Sequence, residues 1–165
     1  ADSIHFPDSL QYKTLVQKRT VYGGGGIMPD IFVPIDTADN TAYHRDLVGK
    51  GIVNNTVIQF MNTNREKLKT QYPNFEKFNK EFEVSETVLK EMIAGGEKEK
   101  IPFNQEEYNR SKRLIKLQMK AIIANNLWEV NEFYRVIGIE NNSLKKAIEV
   151  LNTKGAYEKI LAKGR

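Results

Sequence analysis

The spacing of the apolar residues changes near residue 37, and this change limits the possible folds more than any other feature of the sequence. Before it, strand-forming residues recur at every second position from residue 10 to residue 16, which predicts a β-strand. Beyond it the spacing becomes helical, and the first such face comprises Val53, Val57, Met61, Leu68 and Tyr72. The sequence therefore predicts a mainly α fold, in which a bundle-like helical C-terminal region follows a short β-hairpin and strand segment at residues 10–36.

The segment before the change is predicted to form very little sheet. Residues 20–22 follow a basic turn at residues 17–19, so they pair with the first strand as a hairpin, and the apolar run at residues 31–35 is predicted to be a third strand. A sheet this small is not expected to be stable alone. We therefore divide the chain into residues 1–36, which carry the strands, and a helical domain at residues 37–165.

Particular residues are expected to begin and end the first helices. Pro73 ends the long helix that carries the first apolar face. Ser85 is expected to cap a helix that ends at Gly95-Gly96, and Ser143 to cap another whose apolar residues face inward. These inward-facing residues are Leu144, Ala147, Ile148 and Leu151.

The strongest helical pattern begins after Asn104, which with Glu107 resembles a capping box. Its apolar face is wide, so this helix is expected to lie at the centre of the core. The face comprises Tyr108, Leu114, Ile115, Leu117, Met119, Ala121, Ile122, Ala124 and Trp128. A further helix is predicted to end at Gly138, and a last short one carries Tyr157, Ile160 and Leu161.

Composition excludes several classes of site. The 165 residues include no cysteine, which excludes disulfides, thiolate nucleophiles and thiolate metal ligands. Apolar residues make up 40% of the chain, enough for a real core, but no apolar run approaches the roughly 20 residues of a membrane span. The 25 basic and 21 acidic residues leave a net charge of +4, which predicts a mixed surface.

The run of four glycines, Gly23–Gly26, invites comparison with phosphate-binding loops. A P-loop needs a Gly-Lys-Ser/Thr ending, and a dinucleotide fingerprint needs a helix directly after its glycines. Here Ile27, Met28, Pro29 and Asp30 follow, and the glycines lie between predicted strands. The pattern therefore favours a structural bend where another part of the backbone passes closely.

The residues that could catalyse a reaction do not form a recognisable set. His44 has no second histidine or acid at the spacing of metal ligands, so a surface or capping role is expected. Ser111 lies beside Lys112 on the strong helix, where adjacent positions point apart, and no serine lies in a Gly-x-Ser-x-Gly turn. We therefore predict no catalytic residue, no cofactor and no metal site in this chain.

The strong helix also carries a basic face, defined by Arg110, Lys112, Arg113, Lys116 and Lys120. Such a face is compatible with nucleic-acid binding. Acidic residues lie nearby in the sequence, and the aromatic residues fall on faces that should be buried. A solvated, charge-balanced face is therefore expected, and nucleic acid is not favoured as a partner.

The stretch YKTLVQKRTVYGGGGIMPDIFVPIDT at residues 12–37 resembles the end of the protease domain in C-terminal processing peptidases, also called tail-specific proteases. The shared features are a basic turn, Val-Tyr, the glycine run, Ile-x-Pro-Asp and an apolar strand that ends in proline. The helical remainder is similar to the C-terminal extension of the Bacteroidetes-type members, in its stretches at residues 109–116 and 126–128.

The resemblance implies a serine endopeptidase with a serine–lysine dyad, a PDZ domain that binds the C-termini of protein substrates, and a location in the bacterial periplasm or cell envelope. This sequence contains no Ser-Ala-Ser motif and no room for a PDZ domain, so we expect a C-terminal fragment without the dyad. Only structural residues carry over: Gly23, Gly24, Gly25, Gly26, Pro29 and Asp30.

Three functions stay open on this basis. The first is a non-catalytic C-terminal region of such a protease, with a structural, regulatory or self-associating role, inactive by itself and without membrane insertion. In this case unpaired strand edges at residues 10–36 are expected to promote a homo-oligomer. The second is an independent binding or adaptor module that uses the basic face for nucleic acid or protein. The third is a self-contained hydrolase that uses Ser111 or His44.

Overall fold

The computed structural model describes residues 8–16, 18–23 and 29–162. These residues form a mainly α fold with a short two-stranded antiparallel sheet near the N-terminus, as predicted. The strands are β1 (Gln11–Lys13) and β2 (Thr20–Tyr22). The helices are α1 (Ala42–Gly49), α2 (Ile52–Gln71), α3 (Phe75–Glu81), α4 (Glu86–Lys98), α5 (Gln105–Leu127), α6 (Val130–Ile137), α7 (Asn142–Asn152) and α8 (Ala156–Ala162).

The predicted hairpin is confirmed, whereas the prediction of a third strand at residues 31–35 is wrong. β1 and β2 pair with Tyr12 opposite Val21, and Lys18 adopts a left-handed φ of 54° in the turn. Residues 31–35 lie in no strand. Their β-forming residues satisfy the strand pattern, but within the described residues no neighbouring strand offers them a hydrogen-bonding edge.

The chain forms two compact units: residues 36–141, and residues 1–35 together with 142–165. In the unit formed by residues 36–141, α5 contacts α1, α2 and α6, and α2 also contacts α1 and α4. Every buried apolar side chain among the described residues belongs to this unit. The division at residue 36 into two domains stays a prediction.

The core of this unit lies where the helical periodicity predicted it. Val53, Val57, Met61, Leu68 and Tyr72 are all buried. Aromatic rings from α3 extend the core: Phe78 stacks on Phe82 at 4.6 Å between ring centroids, and it meets Trp128 edge-on at 5.3 Å. α5 is the longest helix, with 23 residues.

The predicted end of α4 at Gly95-Gly96 is wrong, because both glycines lie inside the helix, which continues to Lys98. Gly96 is buried, and a Cβ there would lie 2.9 Å from Cδ2 of Leu47. The glycine therefore permits α1 to approach closely and does not end the helix. Lys100, with a φ of 62°, takes the left-handed position just beyond the helix end.

The other helix starts agree with the sequence in most places. The side chains of Ser85 and Asn104 cap α4 and α5 by accepting backbone hydrogen bonds from Val88 and Glu107. Ser143 does not cap α7, because this helix already begins at Asn142.

In the unit formed by residues 8–35 and 142–162, apolar residues are exposed. The prediction that Leu144, Ala147, Ile148 and Leu151 face inward is wrong, since all four are exposed. α7 has the periodicity of a helix that packs against a core, but the described part of this unit contains no buried apolar side chain to pack against.

Candidate functional site

The described part of the glycine-run motif makes structural contacts. The backbone N–H of Gly23 donates to the carbonyl of Leu10 at 2.8 Å, and the ring of Tyr12 lies where a Cβ of Gly23 would project. Asp30 forms an ion pair with Arg19, so a residue after the glycine run contacts the residue that directly precedes β2. Gly24, Gly25 and Gly26 lie outside the described residues.

A buried polar cluster joins α1 to α5, and His44 is at its centre. His44 is buried, so the predicted surface position is wrong. Its Nδ1 lies 3.2 Å from Oδ1 of Asn40, and its Nε2 lies 2.9 Å from Oε1 of Gln118. Two amide side chains therefore hold the imidazole, and no carboxylate orients it as in a catalytic triad. The amides lie four residues before His44 and on a distant helix, so sequence spacing could not identify both.

Ser111 belongs to the same interface and is completely buried. Its hydroxyl donates to the carbonyl of Glu107 at 2.8 Å, one helical turn earlier. This is the usual bond of a serine inside a helix. Because a nucleophile must reach a substrate, Ser111 cannot act as one in this arrangement.

Glu107 is the residue of this cluster whose role the sequence did not reveal. The capping box predicts that its carboxylate turns back to the N–H of Asn104. Instead, Oε2 accepts a hydrogen bond of 2.5 Å from the backbone N–H of Tyr43, in the first turn of α1. A carboxylate at a helix N-terminus is favourable because the helix dipole is positive there.

Tyr43 completes the interface and carries an unsatisfied group. Its side chain is 3% exposed, and its hydroxyl has no hydrogen-bond partner among the residues that the structure describes. Burial, with smaller effects of the nearby Glu97 and Tyr108, raises its pKa to about 12. The ring packs edge-on against Phe103 at 5.9 Å. The arrangement stabilises packing and offers no exposed acid or base.

Acidic residues from neighbouring segments pair with three of the five cations that define the basic face of α5. Lys112 and Lys116 both pair with Glu86, at 2.9 and 3.4 Å. Arg113 bridges Asp39 at 2.7 Å and Glu140 at 2.5 Å. The hydrogen bond from Lys112 holds the pKa of Glu86 below its usual value.

The remaining two cations of this face bond to backbone carbonyls. Arg110 donates to Ala38 at 3.0 Å, and Lys120 donates to Asn79 at 2.7 Å. Partial burial lowers the pKa of Lys120. Every member of the face therefore has a partner within the chain, but the carbonyl oxygens are neutral and do not compensate the positive charges of Arg110 and Lys120.

The described residues also limit other site classes. They contain no group of three or more histidine, aspartate or glutamate side chains placed to hold a metal ion. No helix among them has both the length and the apolar character needed to cross a membrane.

The fold and these contacts define a mainly helical protein whose central helices are joined by a buried polar interface. Among the described residues, the serine and histidine candidates do not form a catalytic set. Residues 43–129, from α1 to the residue before α6, match the model of DUF8443, a family of unknown function, and the chain belongs to this family. No curated protein and no solved structure matches the chain.

Proposed function

We propose that this chain is the non-catalytic C-terminal region of a C-terminal processing serine endopeptidase of the bacterial periplasm or envelope, with a structural or self-associating role. The observation that carries the proposal is the contrast between the two units. The unit with the protease-like motif exposes its apolar residues, whereas the other unit has a complete core.

The motif itself supports this origin. Residues 12–37 resemble the end of the protease domain of these enzymes, and the ion pair between Arg19 and Asp30 gives two residues of the motif a structural role. Arg19 of the basic turn is thereby held to an aspartate that lies 11 residues later in the chain. This is the role expected of residues that complete a domain and do not perform its chemistry.

Exposed apolar residues support a contact with further protein. Leu15 and Val16 are 88% and 91% exposed, and Phe32 and Ile35 are 71% and 87% exposed. Phe32 and Ile35 line one apolar depression, and Leu15 and Val16 line another; apolar surface of this kind usually marks an interaction site. In the proposed protein, the remainder of the protease covers part of this surface.

The chain's own serine and histidine candidates support a non-catalytic role. Ser111 is buried, and His44 is held by two amides, so the hydrolase alternative has no observation in its favour. The adaptor alternative is less favoured, because Lys112, Arg113 and Lys116 of the basic face are ion-paired within the chain. The serine–lysine dyad would come from other parts of the protease.

The decisive experiment compares two proteins: this chain, and the longest polypeptide encoded by the same reading frame. Each is treated with a fluorophosphonate probe, which labels active serines. We expect the chain to remain unlabelled and the longer polypeptide to be labelled at a serine outside residues 1–165. Stoichiometric labelling of a serine within this chain would overturn the proposal. So would a reading frame that extends upstream without a Ser-Ala-Ser motif and a dyad lysine.

A further inference from the structure

The unit formed by residues 8–35 and 142–162 contains an apolar groove of about 740 Å³. Residues 29–35 form one side of the groove, and α7 and α8 form the other. Apolar side chains make up most of the lining, among them Ile31, Val33, Ala147, Val150, Leu151 and Ile160. Grooves of this size and character commonly hold several side chains of a ligand.

One side of the groove has backbone groups ready to bind. Residues 31–35 belong to no strand, and among the described residues no backbone hydrogen bond reaches them. Segments with free backbone groups can pair with a peptide that adds as a further strand, while its alternate side chains enter pockets. The segment and the groove together therefore fit an extended polypeptide.

The charges in a depression that adjoins the groove favour an acidic residue in this polypeptide. Asp30 is neutralised by Arg19, and Lys146 is neutralised by Glu149 at 2.7 Å. Lys145 lines the adjoining depression together with Ile31 and Phe32, and Lys146 and Glu149 are the other charged residues of its lining. The two lysines and one glutamate therefore give the lining of this depression a net positive charge.

We propose that this groove binds an extended apolar peptide segment, whose backbone pairs with residues 31–35 and whose acidic side chain meets Lys145. A membrane surface fits less well, because a planar bilayer cannot reach the floor of a concave groove. This proposal goes beyond the protease origin, because it concerns binding by this chain itself. Peptide binding and the protease origin can therefore each fail independently.

The test measures fluorescence anisotropy of labelled peptides, acetylated and amidated so that their termini carry no charge. The probe has four alternating valine and isoleucine residues followed by glutamate, and the matched control ends in lysine. We expect binding of the glutamate peptide in the micromolar range, and binding about tenfold weaker for the lysine peptide. Equal binding of the two peptides, or none by either, would overturn the proposal.

Two substitutions assign the binding to the groove. The side chain of Lys145 is exposed. Lys145→Glu should therefore reverse the preference between the two peptides without loss of the helical circular dichroism signal. Val150→Asp should abolish binding, whereas Tyr134→Ser, an exposed apolar position in the helical unit, should leave it unchanged.

Two results with the same variants would assign the groove to another occupant. A dimer in light scattering that Val150→Asp converts to a monomer would mean that a second copy fills it. Sedimentation of the chain with anionic vesicles that Val150→Asp abolishes would mean that a membrane does. Unchanged peptide preference in Lys145→Glu would remove the proposed charge contact.

Discussion

The carboxylate of Glu107 binds the backbone N–H of Tyr43, and this contact joins the first turn of α5 to the first turn of α1. The same residue's carbonyl accepts a hydrogen bond from Ser111, and it lies 3.4 Å from the hydroxyl of Thr41. One glutamate thus connects the helix at the centre of the core with the helix that begins the family match.

Removing this carboxylate should destabilise the protein. We expect Glu107→Ala to lower the free energy of unfolding by about 1–2 kcal/mol, because a charge-assisted hydrogen bond and a favourable helix-dipole contact are lost. Urea unfolding followed by circular dichroism measures this. Glu106→Ala is the control, since Glu106 occupies the same first turn of α5 but is exposed, and it should cost less than about 0.5 kcal/mol. Equal effects would contradict the assigned role.

Two adjacent glycines of α4 should respond oppositely to alanine. A Cβ at Gly96 would lie 2.9 Å from the fully buried Leu47, so Gly96→Ala should destabilise by about 1–3 kcal/mol. A Cβ at Gly95 would lie 3.4 Å from Ile52, an ordinary contact, so Gly95→Ala should stabilise by up to about 1 kcal/mol through helix propensity. Thermal unfolding of both variants tests the close approach of α1. A stabilised Gly96→Ala variant would refute it.

The unpartnered hydroxyl of Tyr43 should make the protein less stable than its phenylalanine variant. Burial of a hydroxyl without a hydrogen bond is unfavourable, so Tyr43→Phe should raise the free energy of unfolding at pH 7 by about 0.5–1 kcal/mol. Tyr134→Phe, at an exposed position, should change it little. Destabilisation by Tyr43→Phe would show that the hydroxyl has a partner in solution.

The same substitution should alter the response to alkali. The folded protein retains the proton of Tyr43 up to a pKa of about 12, whereas the unfolded chain releases it near 10.0. Ionisation of Tyr43 therefore does not affect stability below pH 10, and it lowers the free energy of unfolding as the pH rises from 10 to about 12. Urea midpoints at pH 8 and pH 11 should differ less in Tyr43→Phe than in the parent chain. An identical decrease in both would contradict the assignment.

The paired basic face should bind nucleic acid only when its partners are removed. We expect the chain to show no salt-dependent binding to a labelled duplex at physiological salt. Glu86→Gln frees Lys112 and Lys116, and it should produce weak binding that decreases steeply with salt. Fluorescence anisotropy at two salt concentrations measures both. Micromolar binding by the unchanged chain would support the adaptor alternative.

The hairpin should promote self-association at high concentration. Leu15 and Val16 lie in the turn of the hairpin and are 88% and 91% exposed, so a second copy of the chain can bury them by packing against the same turn. Light scattering should detect a dimer, and Leu15→Lys with Val16→Lys should shift it to monomer. Val48→Lys, an exposed position on α1, should not. A monomer at every concentration would refute this prediction.

Much of the fold could be predicted because local chemistry determines it. Val57 and Met61 recur at helical spacing, and Ser85 and Asn104 supply side-chain oxygens to the backbone just after them. Such contacts join residues within one or two turns, so they can be inferred from the order of residues alone. The basic turn before β2 is equally local.

The tertiary structure decided the features that depend on distant partners. In the sequence, Gly96 suggested a helix end. In the structure, the side chain of Leu47 occupies the space that a side chain at Gly96 would need. Glu107 suggested a local cap, yet its carboxylate meets α1, 64 residues away. His44 is buried because Gln118, 74 residues away, satisfies its ring. The order of residues does not show which distant residues come into contact. At these three positions, burial and long-range hydrogen bonds decided the structure instead of the neighbouring residues.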